Sequence, residues 1–148
     1  MTGVGVFVKP LNARATIPVA ANPGDAGFDL HASEEVFITP GSTALVKTGL
    51  AISIPEGTVA LVCSRSGLAL KESLFVLNAP GIVDSGYRGE VGVILHNAGF
   101  RSAVVRVGDR IAQMMFQEYL TPSFAVVDEL DSTARGEGGF GSSGVAQA

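Results

Sequence analysis

The chain is patterned as short apolar runs cut by turn residues. The runs VGVFV, VFITP, ALVKT, TVALVC, LFVLN, VGVILHN, AVVRV, IAQMMF and FAVVD are rich in β-branched and aromatic residues, and no run sustains a helical period. Between them stand Pro23-Gly24, Pro40-Gly41, Pro55-Glu56-Gly57, Ala79-Pro80-Gly81, Ser85-Gly86 and Gly108-Asp109, at the spacing of a sandwich, barrel or jelly roll. The pattern predicts an all-β domain. The best helix candidate is SGLALKE, opening at Ser66 as N-cap and lasting about two turns. Such a start aims free backbone N–H groups at whatever sits beside Arg65, and a phosphate is the natural occupant.

Composition narrows the class. The 148 residues suit one domain, and with 47% of them apolar there is enough material for a core. A net charge of −4, with scattered basic residues, argues against a nucleic-acid surface, yet it permits one small phosphorylated ligand in a locally positive pocket. The lone Cys63 forms no internal disulfide and fits a reducing cytosol, and neither a leader-like start nor a membrane span is evident, so a cytoplasmic protein is expected. Cys63, His31 and His96 have no metal-ligand spacing and read as structural. From Ser132 the chain turns glycine-rich with almost no apolar residues, so residues 1–131 read as the folded domain and 132–148 as an arm that is mobile when left alone. One Arg and one Phe among its glycines also describe an arm that folds over a ligand.

Five segments set glycines and polar residues beside predicted strands. Singly each is weak. Asp29 in AGFDL could serve only a turn, and Ser64-Arg65-Ser66-Gly67 could be an ordinary helix start. Asp84-Ser85-Gly86-Tyr87 reads as a hairpin turn whose backbone can meet a nucleobase edge, with Tyr87 offering a flat face to a sugar; a plain β-turn is equally compatible. In GDRIAQ, Asp109 could serve only the turn, and Arg110 could be claimed by Asp109. RGEGGFGSSG has the composition of a phosphate loop but lacks the Lys-Ser/Thr ending of a P-loop.

In this order AGFDL, RSGLA, NAPGIVDSGYRGE, GDRIAQ and RGEGGFGSSG resemble the five motifs of the trimeric dUTPase family, from Ala26 to Gly144. Ser143 stands where many members carry Thr, which keeps the hydroxyl. The resemblance implies a distorted β-barrel, jelly-roll-like fold with one short helix and a flexible C-terminal arm. It implies a homotrimer with sites shared between subunits, and a Mg²⁺-dependent hydrolase that converts dUTP to dUMP and pyrophosphate, lowering dUTP and supplying dUMP for dTMP synthesis. Asp84 would be the general base for the water that attacks the α-phosphorus. Mg²⁺ would be chelated chiefly by the substrate phosphates, with Asp29 acting through metal-bound water or by ordering the site. Arg65, Ser66 and Gly67 would hold the α- and β-phosphates. Gln113, Arg135, Gly141, Ser142 and Ser143 would grip the β- and γ-phosphates, with Arg110 a weaker candidate. Asn78 and the backbone from Tyr87 to Val91 would read uracil, Tyr87 would exclude a 2′-hydroxyl, and Phe140 would cover the base in a stack of ~1–3 kcal/mol. The rivals are a dCTP deaminase, or bifunctional deaminase/dUTPase, of the same fold, and a non-catalytic jelly-roll module.

Overall fold

The computed structural model describes residues 5–139. Its ten strands and one helix run β1 (Phe7–Pro10), β2 (Phe28–His31), β3 (Val36–Ile38), β4 (Thr43–Ser53), β5 (Thr58–Cys63), α1 (Ser66–Glu72), β6 (Leu74–Val76), β7 (Gly81–Asp84), β8 (Glu90–Asn97), β9 (Ala103–Val105) and β10 (Arg110–Glu118). Every strand pairing is antiparallel. Two four-stranded sheets, ordered β1-β4-β8-β6 and β2-β10-β5-β7, are joined by a two-stranded β3-β9 sheet. Among the described residues the three sheets do not close into one ladder.

Alternation decides which side chains go inside. β8 reads Glu90-Val91-Gly92-Val93-Ile94-Leu95-His96-Asn97, and every second residue is buried. These meet Leu30, Ile111 and Met114 of the facing sheet, and Ile38 and Val105 of the small one, in a single apolar cluster. In VGVILHN and IAQMMF, Val91, Val93, Leu95, Ile111, Ala112 and Met114 are all internal, because the pleat sends alternate residues to the core. Exposed apolar surface lies instead at Phe37, Leu45, Leu77, Ile82 and Phe100, and along the chain beyond β10.

Three expectations change. FAVVD forms no strand: β10 ends at Glu118, and Phe124 and Val126 stand fully in solvent with no sheet edge beside them. Propensity alone does not hold a strand that lacks a ladder partner. Ser66 is the first helical residue rather than the cap; extended Arg65 is the N-cap, without a side-chain bond to the helix. The turn at Asp84-Ser85-Gly86-Tyr87 forms, with Tyr87 N–H donating to the Asp84 carbonyl at 3.1 Å, but it is not a hairpin. β7 pairs with β5 while β8 pairs with β4 and β6, so the turn is a corner between two sheets. Asp-Ser-Gly dictates the reversal, not the edges its flanks will find.

No helix among the described residues is long and apolar enough to cross a membrane.

Candidate active site

The first cavity opens where β2, β10 and the start of α1 converge. Its volume is about 400 Å³, and its lining includes Asp29, Arg65, Ser66, Gly67, Arg110 and Gln113. Register explains the convergence: Asp29 faces Gln113 across β2-β10, and Gln113 faces Cys63 across β10-β5, so the chain leaves β5 at that level and delivers Arg65 and Ser66 beside Asp29.

Asp29 is the electrostatic centre of this cavity. Its Oδ1 accepts from Arg65 Nε at 3.0 Å and its Oδ2 from Arg110 Nη1 at 3.4 Å, with 13% of the carboxylate side chain exposed. Arg65 also donates through Nη1 to the Arg110 carbonyl at 3.2 Å. One carboxylate therefore fixes two guanidinium groups, leaving further N–H donors of the kind that bind an anion. The expectation that Asp109 claims Arg110 is corrected here: Asp109 Oδ2 accepts the Arg106 N–H at 2.8 Å within its own turn, while Arg110 turns to Asp29. Sequence adjacency suggested the wrong acid, because successive residues on an extended chain point to opposite faces.

Gln113 donates through Nε2 to the Ser64 carbonyl at 2.9 Å and so fastens the segment that carries Arg65. A Cβ at Gly27 would overlap the Gln113 Oε1, which gives the glycine of AGFDL a packing reason. Next to this cavity, His31 carries an Nδ1 that is buried without a partner. Burial pushes its pKa below the usual 6.5; Arg110 and Arg65 push the same way and Asp29 opposes them.

The second cleft, of about 190 Å³, is lined by Ile82, Val83, Asp84, Tyr87, Glu90, Val91 and Gly92. Asp84 is exposed at the end of β7. Tyr87 bends back over its own turn: its hydroxyl donates to the Glu90 carbonyl at 3.0 Å, and a Cβ at Gly89 would overlap its ring. About 46% of Tyr87 stays exposed, enough to offer a ring face to a ligand.

The two clefts share no lining residue. Asp29 lies level with Cys63, and Asp84 lies level with Val59 on the far side of β5. That is four residues along the strands and three strand spacings across, or roughly 20 Å on the diagonal. Asn78 enters neither cleft and sits beside Gly81, at the other end of β7 from Asp84. Arg135 is exposed, with its Nε donating to the Gly138 carbonyl of its own turn at 2.9 Å. Phe140, Gly141, Ser142 and Ser143 lie outside the described residues. Glu90 was missed in the sequence as anything but part of a motif; only its strand partner gives it a role.

A family model described as dUTPase matches residues 13–144. The chain belongs to the dUTPase family. Among relatives, the deoxyuridine 5′-triphosphate nucleotidohydrolase of Alkaliphilus metalliredigens is 51% identical over 140 residues, covering 95% of this chain and 97% of its own. That of Helicobacter pylori strain 26695 is 48% identical over 143 residues, covering 97% and 99%. Among solved structures, a mutant dUTPase of Staphylococcus bacteriophage 80alpha with dUpNHpp superposes with a TM-score of 0.89 at 33% identity, over 95% of this chain and 99% of that one. A mutant dUTPase of phage phi11 of S. aureus, solved to describe a structural Mg(II) ion, gives 0.81 at 28% identity, over 86% and 99%.

Proposed function

We propose that the chain hydrolyses dUTP to dUMP and pyrophosphate at a site built by more than one copy of itself. The observation that carries this reading is the separation of the two clefts. A general base works within ~2.6–3.2 Å of the proton it takes, directly or through one water. Asp84 therefore cannot serve an α-phosphorus held at Arg65 of the same chain, roughly 20 Å away. A second protomer that brings its Asp84–Tyr87 cleft against the Asp29–Arg65 cavity completes the site, and a closed trimer does this with three equivalent interfaces.

In that site Arg65 and the free N–H groups at the start of α1 bind the α- and β-phosphates. Ser66 stands at the bridging oxygen, where charge grows as pyrophosphate leaves. Asp84 of the neighbouring protomer takes a proton from water as its oxygen attacks the α-phosphorus and the bond to the bridging oxygen breaks. Tyr87 packs beneath the deoxyribose and leaves no room for a 2′-hydroxyl, while the adjacent backbone reads the uracil edge. A mispaired base leaves buried polar groups unsatisfied, the strongest basis for rejecting it. Gln113 and Arg135, with Gly141, Ser142 and Ser143 of the arm, grip the outer phosphates, and Phe140 covers the base.

No group of three or more His, Cys, Asp or Glu among the described residues forms a metal cage. Two carboxylates line the phosphate cavity, Asp25 and Asp29, and both are already engaged, Asp25 by Asn22 and Asp29 by Arg65 and Arg110, which fits a Mg²⁺ held mainly by the substrate and touched by the protein sparingly. When bound, Mg²⁺ neutralises phosphate charge. Asp29 orders the two arginines and would be the residue that helps hold the ion.

The test is pyrophosphate release from dUTP, UTP, dCTP and dTTP, with Mg²⁺ and with a chelator. The expected result is Mg²⁺-dependent release from dUTP far above the others. Ammonia from dCTP, or no release from dUTP, would overturn the reading.

A further inference from the structure

The β4-β8 ladder contains a break in register that ties it to the Tyr87 cleft. Lys47 pairs with Gly92 but Ala51 pairs with Glu90, so Thr48, Gly49 and Leu50 face the single residue Val91. Such a bulge strands backbone groups that the ladder no longer serves. Here side chains take them up. Glu90 Oε1 accepts the Gly49 N–H at 2.8 Å, and Thr48 Oγ1 donates to the Val91 carbonyl while accepting the Leu50 N–H at 3.3 Å. Gly49 is itself closely held: its φ is +70°, a Cβ would press on Asn12 and Ala15, and its carbonyl accepts the Leu11 N–H at 2.7 Å. Glu90 is thus anchored through its carboxylate to a fixed point outside the cleft. Its own carbonyl holds the Tyr87 hydroxyl, and Tyr87 N–H in turn closes the turn onto Asp84.

We propose that Glu90 is a positioning residue for the sugar end of the site, acting through Tyr87 rather than on the nucleotide. Its carboxylate replaces a ladder acceptor, and it fixes the carbonyl against which Tyr87 is set. The role requires an acceptor and not a charge. This inference rests on the reading of the Asp84–Tyr87 cleft as the nucleoside half of a dUTPase site.

The test compares Glu90→Ala and Glu90→Gln in pyrophosphate release from dUTP. Glu90→Ala is expected to raise KM about tenfold and leave kcat within about threefold, since a buried N–H left unpaired lets the Tyr87 anchor move. Glu90→Gln, which keeps Oε1 as acceptor, should restore KM to within about twofold of the parent by the same reasoning. Should Glu90→Ala not fold, Tyr87→Phe cuts the same link at the exposed end and should raise KM in its place. Dideoxy-UTP, lacking the 3′-hydroxyl, should show the same relative KM rise as dUTP. An effect confined to dUTP would mean that Glu90 touches the sugar hydroxyl directly, and would overturn the proposal. So would an unchanged KM with only a lowered melting temperature, or a Gln variant as impaired as the Ala variant. An active parent enzyme with any of these results refutes the role of Glu90 alone; a parent inactive on dUTP refutes the site and the inference together.

Discussion

Two inactive variants of this chain should regain activity when assembled together. Asp84→Asn removes the general base and Arg65→Gln the phosphate clamp, and each homo-oligomer should fall on the order of 10²–10⁴-fold in turnover. The β2-β10-β5-β7 register sets Asp29, the partner of Arg65, roughly 20 Å from Asp84 of the same chain, and under the proposed shared site each site draws these residues from two protomers. In an equimolar random mixture, half the chains carry an intact Arg65 and the other half an intact Asp84. A site then receives both intact residues with a probability of about one quarter in a closed cyclic assembly. Co-refolding the two variants from denaturant and measuring pyrophosphate release should therefore give about a quarter of the parent rate per site, against under roughly 1% for either alone. If each site were built within one chain, every site would lack one residue and the mixture would equal the mean of its components. That result would refute the shared site.

Asp29→Asn frees both arginines from their common carboxylate and should lower kcat/KM roughly tenfold, equivalent to ~1.4 kcal/mol, with a higher Mg²⁺ requirement in a metal titration. Asn97 is fully buried and donates through Nδ2 to the Ile38 and Arg101 carbonyls, each at 2.8 Å, while its Oδ1 accepts the Gly99 N–H at 2.9 Å. Asn97→Ala strands those groups and should cost about 2–4 kcal/mol in denaturant unfolding. His31 has a folded pKa below its usual 6.5, so the unfolded chain binds more protons between the two values. Stability should then fall as pH drops through that window and be restored above it, and His31→Gln should flatten the dependence of the melting temperature on pH.

Much of the fold and part of the site were legible in the residues. Alternation in VGVILHN named the inward residues Val91, Val93 and Leu95, since the period of a strand is a local property of the backbone. SGLALKE gave the helix to within its cap, and Pro and Gly punctuation gave the turns. Ordered motifs gave the family, and with it the nominated residues Asp29, Arg65, Ser66 and Gln113, which the structure brings to one cavity. Tertiary structure alone decided what depends on partners distant in sequence. It turned Arg110 to Asp29 rather than Asp109, left FAVVD without a strand to pair with, and made the Asp84 turn a corner between sheets. It also joined Glu90 to Gly49 across a bulge and set Asp84 and the Asp29–Arg65 pair far apart in one sheet. Chain order fixes what each residue can do within a few positions. Which edge or acid it meets is set by strand register and sheet order, which no local stretch encodes.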